Sequence, residues 1–322
     1  MRVQNDFLLS QILWYKIGGI ARHLLDIENA EDLQLALDFI EKNNQKKILI
    51  CGLGSNLIFS NDYFDGTVIR MVNAKAQDRD FKKNDEFITV FSGIILDDLI
   101  QYMFKNNLTG LEWAGGLPGT VGAGIRGNVG AFSKEIQESL VYIEVLEHQD
   151  TKYVSRTLKK DDLHFSYRNS IIKENKKMII VSATFKLYPG DAASLAKGKS
   201  TYMNNITYRR DHHPMEYPSC GSVFKNISNP KQVEKILITW PDIKELVEAK
   251  WHGKISMGYI INRLGFSGLQ IGKMQVSKKH ANFIVNLGDG KGSDVIMIIK
   301  EIQDKVQQVF GFTPEVEVEI VV

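Results

Sequence analysis

LEWAGGLPGTVGAGIRGNVGAFSKE, residues 111–135, is the stretch on which the interpretation of the whole chain depends. Seven of its residues, between Gly115 and Gly130, are glycines. This density disfavours a helix or strand interior, because glycine loses more backbone entropy there than any other residue. It is typical of a loop in which φ must be positive or a ligand approaches the main chain. Two interpretations stay open: a cradle of backbone N–H groups for phosphate, or a tight structural crossover.

The glycine spacing excludes two common nucleotide-binding motifs. No Lys-Ser/Thr pair follows a GxxxxG spacing, so the stretch is not a P-loop, and Gly119, Gly122 and Gly124 do not follow the strand–GxGxxG–helix order of a Rossmann unit. A second glycine turn, GLGSN at 52–56, follows a short apolar run at 48–51. If the two turns converge on one ligand, we expect that ligand to carry more than one phosphate.

Composition indicates an ordinary globular protein. The chain has 322 residues, 43% hydrophobic and 24% charged, which suggests two or three domains. A net charge of +2 without a basic tail disfavours a nucleic-acid partner. The two distant cysteines, Cys51 and Cys220, indicate a reducing compartment and no zinc site. Without a signal-peptide pattern or an apolar run of roughly 20 residues, we expect a cytoplasmic protein with no membrane insertion.

Periodicity predicts several helices and strands. Apolar residues at helical spacing predict helices over 30–43, 95–105 and 294–310. Ser293 would cap the start of the third helix, and Gly311 would end it. Strict alternation in PEVEVEI, residues 314–320, predicts a half-exposed strand whose glutamates face solvent, with a functional carboxylate among them as the alternative.

The turn YPSCGSVFKN, residues 217–226, combines polar side chains with Pro218 and Gly221. It is a candidate for chemistry, although the spacing alone favours a β-turn that enters a strand. Cys220 is interpreted as a small packed residue rather than a nucleophile. His280, in QVSKKHANFIVN, is interpreted as a hydrogen-bonded structural histidine, with ligand contact as the alternative.

An ordered set of motifs resembles the UDP-N-acetylenolpyruvoylglucosamine reductase (MurB) family, in its shorter, type II branch. The motifs are KIGG (16–19), GLGSN (52–56), GLPGTVGAGI (116–125), FSYRNS (165–170), YPSCGSVFKN (217–226), QVSKKHANFIVN (275–286) and PEV (314–316). Each motif is weak alone, but the order is specific and covers the chain from about Trp14 to Val318. The short interval from Arg168 to Ser222 matches the shorter branch.

The resemblance implies an α+β fold. A two-subdomain FAD-binding domain of the vanillyl-alcohol-oxidase (PCMH) type would be followed by a C-terminal α+β substrate-binding domain. The implied bounds are 1–72 for the first FAD subdomain, joined by the C-terminal strand 312–322, 73–190 for the second, and 200–311 for the substrate-binding domain. No metal is implied, and we expect a monomer.

The implied activity is the NADPH-dependent reduction of UDP-N-acetylglucosamine enolpyruvate to UDP-N-acetylmuramate. This reaction belongs to peptidoglycan precursor synthesis, and therefore to cell wall biogenesis, cell shape and cell division. Hydride would pass from NADPH to FAD N5 and then to substrate C3. Arg168 would pair with the substrate carboxylate or enolate, Ser222 would protonate C2, and Glu315 would act as general acid or orienting group with a pKa raised by burial.

The resemblance also implies two sets of binding residues. The expected FAD contacts are Tyr15, Ile17, Gly18, Gly19, Gly52, Gly54, Ser55, Asn56, Gly115, Gly116, Pro118, Gly119, Thr120, Gly122, Ala123 and Gly124. The expected contacts with the UDP-sugar are Asn226, Tyr167, Lys225, Gln275, Ser277 and His280.

The chain departs from the family pattern in four places. Leu13 stands where the family usually has threonine, Asn128–Ser133 replaces NAGAYG, Ile227 replaces proline, and Glu317 replaces arginine. The alternative functions are a flavin oxidase of the same superfamily that acts on a hydroxy acid or alcohol, and a flavin- or nucleotide-binding protein without catalysis. The intact Arg168, Ser222 and Glu315 favour the reductase.

Overall fold

The computed structural model describes residues 1–149, 152–251 and 253–322, and these residues divide into two compact units. The first unit consists of Met1–Phe7, Ala21–Leu53 and Asp65–Arg209, and the second of Leu8–Ile20, Gly54–Phe64 and Arg210–Val322. The boundary between Arg209 and Arg210 falls inside the helix Ala192–His212. The division into three domains at 72/73 and 190/200 stays a prediction.

Strands and helices are numbered along the chain. The strands are β1 Arg2–Leu8, β2 Ile20–Ile27, β3 Ile48–Cys51, β4 Leu57–Phe59, β5 Tyr63–Met71, β6 Phe81–Asn84, β7 Phe87–Phe91, β8 Leu108–Thr109, β9 Gly130–Ala131, β10 Lys134–Glu135, β11 Leu140–Gln149, β12 Lys152–Lys159, β13 Met178–Lys186, β14 Tyr188–Pro189, β15 Ser219–Ser222, β16 Gln270–Ile271, β17 Met274–Val276, β18 Phe283–Asn286 and β19 Glu319–Val321. The α-helices are α1 Ala30–Lys42, α2 Leu96–Lys105, α3 Val121–Arg126, α4 Ile171–Glu174, α5 Ala192–His212, α6 Pro230–Thr239, α7 Lys244–Ala249, α8 Met257–Arg263 and α9 Gly292–Phe310. Short 3₁₀ turns lie at Leu9–Gln11, Asp78–Asp80, Glu112–Ala114, Ile136–Glu138, Lys160–Leu163 and Pro241–Ile243.

The first unit contains two sheets with helices packed on them. One is antiparallel, in the order β12-β11-β13-β7-β6, and the other has the order β1-β2-β5-β3. The predicted helices at 30–43 and 95–105 are confirmed as α1 and α2. Asn29 is the N-cap residue of α1, and its side chain accepts the N–H of Asp32 at 2.8 Å. Each helix buries one apolar stripe, as its periodicity requires.

A short helix, α3, forms inside the glycine-rich stretch, so the expectation of a loop without helix is wrong at this point. Gly122 and Gly124 lie within it because there is no room for a side chain. A Cβ on Gly122 would lie 2.7 Å from the Cβ of Ser92, and one on Gly124 would lie 3.1 Å from Cγ1 of Val129. Burial of Val121 and Ile125 in α3 offsets the entropic cost of helical glycine.

The second unit is built on an antiparallel sheet in the order β15-β18-β17-β16. The predicted C-terminal helix is confirmed as α9, and Gly311 ends it with φ +71°. Ser293 is not its cap, because α9 begins at Gly292 and Lys291 is the N-cap residue. β19 pairs in parallel with β4, so the C-terminal strand lies beside a segment of residues 1–72.

The predicted strand at 314–320 is wrong over its first five residues. Only Glu319–Val321 forms a strand, while Val316 makes a single bridge to Phe224. The reason lies in competing partners. Glu315 and Glu317 exchange backbone hydrogen bonds with Lys225 and Val223, and the chain then turns to pair with β4. Alternation along the sequence cannot distinguish one long strand from two short pairings.

Candidate active site

The two glycine turns approach each other within the first unit. A Cβ on Gly52 would lie 2.5 Å from Oγ1 of Thr120, which is buried. Gly52 therefore allows the end of β3 to pack directly on the glycine-rich stretch. This contact supports the prediction that both turns serve one ligand.

Packing already uses three of the backbone donors expected in this cradle. The N–H groups of Gly115, Gly122 and Gly124 donate to the carbonyls of Glu112, Ser92 and Thr120 at 3.3, 2.8 and 2.9 Å. These three amides hold the loop and are not the donors for an anion. Contacts from the rest of the expected set, Gly116, Pro118, Gly119, Thr120 and Ala123, stay predictions. Gly116 and Gly119 have φ of +74° and +145°, conformations that favour glycine.

Arg209, near the end of α5, lies directly against this loop. Its exposed fraction is 8%, and its Nε donates to the carbonyl of Gly115 at 3.0 Å. Its Nη2 is buried without a hydrogen-bond partner among the residues that the structure describes. Burial lowers the pKa of Arg209 to about 10. The sequence carries no local signal for this role of Arg209, since an arginine on a helix is ordinarily solvated.

The loop and Arg209 together fit a flavin nucleotide. The main chain at Gly116 packs against α5, because a Cβ there would lie 3.1 Å from Cδ of Arg209 and 3.3 Å from Cγ1 of Ile206. A buried guanidinium with an unused donor is suited to an anionic ligand.

Arg168 lies in the first unit in a left-handed conformation, with φ +57°. Its Nη2 donates to the carbonyl of Gly130 at 2.8 Å, and its own carbonyl accepts from Nζ of Lys173 at 3.0 Å. Its guanidinium carbon lies 5.2 Å from the centroid of the Tyr167 ring. These contacts orient a planar cation that can recognise a carboxylate through two parallel hydrogen bonds.

Ser222 ends β15 in the second unit and pairs with Phe283 on β18. Gly221, before it, has φ +77°, and a Cβ there would meet nothing within 4 Å. Asn282 stabilises the turn, because its buried side chain accepts the N–H of Phe224 at 3.0 Å and donates to the carbonyl of Phe224 at 2.9 Å. No sequence motif identifies Asn282 as a functional residue, because its role depends on contacts between residues distant in sequence.

Lys225 and Glu315, two predicted site residues, are brought together in the second unit. Nζ of Lys225 lies 2.6 Å from Oε1 of Glu315, and the Lys225 N–H donates to the Glu315 carbonyl at 3.0 Å. The expectation that Glu315 is buried is wrong, since its side chain is 70% exposed. Asn226 is also exposed, and its Oδ1 accepts the N–H of Met257 at the start of α8, at 3.1 Å.

Three other residues expected to contact the sugar belong to β17 and the loop after it. Gln275 donates to Gln270 at 3.3 Å. Ser277 is buried, and its hydroxyl accepts the N–H groups of Lys279 and His280 at 3.1 and 3.3 Å.

His280 packs in an aromatic cluster. Its ring centroid lies 5.4 Å from that of His213 and 4.9 Å from that of Phe283. Its Nδ1 lies 3.3 Å from the N–H of Asn282, and burial lowers the pKa of His280. This environment favours the structural interpretation of His280. The contacts of Gln275, Ser277 and His280 with a sugar stay predictions.

The KIGG turn is anchored in the core of the second unit. Tyr15 and Ile17 are buried, and the Tyr15 hydroxyl donates to the carbonyl of Ile284 at 2.7 Å. Any contact of these two residues with FAD must therefore come from their main chain. The buried Asn286 donates to the carbonyls of Tyr15 and Lys16 at 3.3 and 3.2 Å, a role with no local signal in the sequence because these residues lie about 270 positions apart.

A cavity of about 450 Å³ adjoins the KIGG turn. It is lined by Ser10, Gln11, Lys16, Tyr217, Pro218, Asn286, Leu287, Gly288 and Asp289.

The remaining residues expected to contact FAD are glycines of the KIGG turn and residues of GLGSN. Gly18 has φ +133°, and Gly19 packs so closely on the main chain of Asp62 that no side chain fits. Gly54 has φ +69° and packs on Leu13, one of the departures from the family pattern, which is buried. The carbonyl of Asn56 accepts from Glu319 at 3.0 Å. The contacts of these residues and of Ser55 with FAD stay predictions.

Cys220 is a packed residue. It is 4% exposed, and burial raises the pKa of its thiol to about 12, so the thiol is protonated at neutral pH and is not a nucleophile. Among the described residues, no three His, Cys, Asp or Glu side chains are grouped so that they could hold a metal ion. No α-helix in the described part of the chain has both the length and the apolar character needed to cross a bilayer.

Comparisons with known proteins agree with this architecture. Residues 21–155 match the family model "FAD binding domain", and residues 213–321 match "UDP-N-acetylenolpyruvoylglucosamine reductase, C-terminal domain". The chain is 33% identical to the UDP-N-acetylenolpyruvoylglucosamine reductase of Halalkalibacterium halodurans over 98% of this chain and 93% of that protein. It is 31% identical to the protein of the same name from Lactobacillus johnsonii over 99% and 94%.

A solved structure confirms the fold class. The UDP-N-acetylenolpyruvylglucosamine reductase of Thermus caldophilus aligns over 100% of both chains with a TM-score of 0.74 at 24% identity. The expected α+β fold, with an FAD-binding domain followed by a distinct C-terminal domain, is therefore confirmed.

Proposed function

This chain belongs to the UDP-N-acetylenolpyruvoylglucosamine reductase family, and from that premise we propose that it is an FAD-containing, NADPH-dependent UDP-N-acetylmuramate dehydrogenase. Its substrate is the enolpyruvyl ether of UDP-N-acetylglucosamine, and its product serves peptidoglycan precursor synthesis. The observation that carries this proposal is the match at 33% identity over 98% of the chain. Arg168, Ser222 and Glu315 all stand at the positions that the family's motifs predict.

FAD would be held in the first unit by the glycine-rich stretch and the turn at Gly52, and when bound it would supply the hydride that NADPH provides. The fit rests on the close approach of Gly52 to Thr120 and on the buried cation of Arg209 beside Gly116. The protein's own contribution is to hold the substrate, stabilise developing negative charge and deliver one proton.

Arg168 is proposed to bind the substrate carboxylate. Hydride addition at C3 places negative charge on C2 and on the carboxylate oxygens, so a cation that grips this carboxylate stabilises the transition state. The hydrogen bond from Arg168 to Gly130 and the ring of Tyr167 fix the plane of the guanidinium. A fixed plane favours two simultaneous hydrogen bonds to one carboxylate.

Ser222 is proposed to donate the proton to C2. Serine is a weak acid, so it can serve only a strongly basic carbon and needs polarising neighbours. The open space beside Gly221 supports access to Ser222. Glu315, held by Lys225, is proposed to orient the substrate or the serine hydroxyl, because an exposed, ion-paired carboxylate is better suited to accepting hydrogen bonds than to donating a proton.

An anaerobic experiment in two steps tests the proposal. The purified protein should show a flavin spectrum that NADPH bleaches and that UDP-N-acetylglucosamine enolpyruvate restores. If NADPH bleaches the flavin but the sugar does not restore it, and oxygen does so rapidly, the protein is an oxidase instead. If the protein binds flavin but NADPH does not reduce it, the non-catalytic alternative is correct.

Two substitutions test the roles within the reaction. Ser222→Ala should leave bleaching by NADPH unchanged and slow restoration by the sugar about 100-fold or more, whereas Ser219→Ala on the same strand should behave as wild type. Equal loss in both steps would contradict the role of Ser222. Arg168→Lys should also impair restoration because the planar fork is lost, and the same exchange at Arg156, an exposed ion-paired arginine on β12, should have no effect. The monomeric state and the cytoplasmic location stay predictions.

A further inference from the structure

Arg209 is a cation that the protein buries without fully satisfying. One hydrogen bond, from Nε to Gly115, and one ring contact, 5.4 Å from its guanidinium carbon to the Phe132 centroid, account for its described polar and aromatic contacts. Nη2 has no partner among the residues that the structure describes. A buried charged donor without a partner is among the most unfavourable arrangements in a protein. Such an arrangement is favoured when a ligand supplies the missing acceptor.

The hairpin that covers Arg209 is itself strained. Phe132 and Ser133 form the two-residue turn between β9 and β10, with φ of +52° and +62°. Positive φ at both central positions defines a type I′ turn, which strongly prefers Asn-Gly. A phenylalanine and a serine in these positions cost about 1 kcal/mol or more each, and strain of this kind is found where function requires it.

The side chain of Phe132 contacts both Tyr208 and Arg209. The ring is 44% exposed, yet it packs edge-on against Tyr208 at 5.5 Å and covers the guanidinium of Arg209. An aromatic face over a guanidinium both attracts it and excludes water. Phe132 therefore fixes Arg209 in place while it leaves Nη2 unused.

We propose that Arg209 is a buried side-chain anion ligand for the flavin nucleotide, and that Phe132 is the residue that positions it. The proposal rests on the proposed function for the presence of FAD. The bound flavin nucleotide has two groups of suitable chemistry, its diphosphate and the N1–C2=O edge of the isoalloxazine ring, which becomes negative on reduction. In both cases an oxygen or nitrogen atom of the ligand would accept a hydrogen bond from Nη2 of Arg209.

The two groups predict different measurements. A contact with the diphosphate is the same in oxidised and reduced flavin, so its loss weakens FAD binding and leaves the midpoint potential unchanged. A contact with the N1–C2=O edge strengthens on reduction, so its loss also lowers the midpoint potential.

The experiment compares Arg209→Met with Lys199→Met, which removes an equal charge from an exposed position on the same helix. FAD is removed from each protein, and its rebinding is followed by quenching of flavin fluorescence. Arg209→Met should weaken FAD binding about tenfold or more, the usual effect of losing one hydrogen bond to a charged group. Lys199→Met should bind FAD as wild type does.

The melting temperature of the apoprotein separates ligand binding from a structural role. If Arg209 serves the ligand, Arg209→Met should leave the apoprotein as stable as wild type or more stable, because an unpartnered buried charge is removed. If Arg209 serves only the fold, the apoprotein should melt at a lower temperature and FAD affinity should not change. The second result would overturn the proposal.

Phe132 has its own test. Phe132→Leu should weaken FAD binding, and lower the midpoint potential if Arg209→Met does, whereas Phe132→Tyr, which keeps the ring, should restore wild-type values. Wild-type behaviour of Phe132→Leu would remove Phe132 from the proposal. If wild-type protein binds FAD but does not respond to the UDP-sugar, the proposed function fails while the role of Arg209 survives. If Arg209→Met binds FAD as wild type in a protein active on the sugar, the role of Arg209 fails alone.

Discussion

The glycine-rich stretch of the first unit and the turn around Gly221 of the second unit use glycine for opposite reasons. In the first, Gly122 fits where a Cβ would lie 2.7 Å from Ser92. In the second, a Cβ on Gly221 would meet nothing within 4 Å, and the requirement is φ of +77°. The first glycine is needed for space and the second for backbone conformation.

This difference extends to how each region offers chemistry. The first region uses several of its own amides for packing and presents side-chain cations, Arg168 and Arg209, against main-chain carbonyls. The second exposes a short polar turn whose position depends on one buried side chain, Asn282. A tightly packed loop limits which ligand groups can approach it, whereas the open turn depends on hydrogen bonds from a buried side chain to keep its conformation.

Among these tests, the largest effect is expected for Asn282→Ala, which removes the side chain that hydrogen-bonds to the turn. Two backbone groups of Phe224 would lose their partners in a buried position, so we expect the free energy of unfolding to fall by about 3 kcal/mol. Turnover should fall as well, because Ser222 lies on the same turn. Urea denaturation measures the first effect and steady-state kinetics the second. Asn262→Ala, at an exposed position of α8, should change neither, and an unchanged stability in Asn282→Ala would show that the turn supports itself.

Gly122→Ala tests the requirement for space. The added Cβ would force Ser92 and α3 apart, so we expect a loss of about 2 kcal/mol in the free energy of unfolding. Gly127→Ala is the matched control in the same stretch. A Cβ there would meet only the carbonyl oxygen of Ala123, at 3.7 Å, and φ is −94°. Stability equal to wild type or slightly higher is expected for that variant, and equal losses at both positions would refute the distinction.

Gly221→Ala tests the requirement for conformation. There is space for the methyl group, so the expected loss is only the strain of a left-handed alanine, about 1 kcal/mol. Gly221→Asn should lose less, because asparagine tolerates this conformation better. Thermal or urea unfolding of the two variants measures the difference. Equal losses of unfolding free energy in the two variants would mean that steric contacts, rather than the positive φ, require glycine at position 221.

The smallest expected effect concerns His280, next to the turn. Burial lowers its pKa from 6.5 in the folded protein, so the unfolded chain binds a proton at a higher pH than the folded chain does. Stability from neutral His280 is complete above the ordinary histidine range and is lost as pH falls through that range toward the lowered pKa. His280→Gln should flatten the decline of unfolding free energy over this interval, and His23→Gln in the first unit is the control. A decline as steep as in wild type would exclude His280 as its source.

Local sequence predicted those elements that bury a single stripe or satisfy a local motif. α1, α2 and α9 were recognisable because one face of each helix is apolar at a spacing close to 3.6 residues. The prediction failed at 314–318, because the backbone hydrogen bonds that Glu315 accepts from Lys225 and Glu317 donates to Val223 compete with a continuous strand. It also failed at α3, because packing outweighs the low helix propensity of glycine.

For the candidate site, too, some features could be predicted from the sequence and others only from the tertiary structure. The order of the motifs alone indicated the family and named Arg168, Ser222 and Glu315, since reactive groups require particular residue types at particular turns. Only the tertiary structure showed that Glu315 is exposed and paired with Lys225. The sequence by itself determined the family, the main helices and the residue types available for chemistry. The tertiary structure decided which side chains are buried, paired or left without a partner, as for Arg209 and Asn282, because burial and hydrogen bonding between residues distant in sequence leave no local pattern.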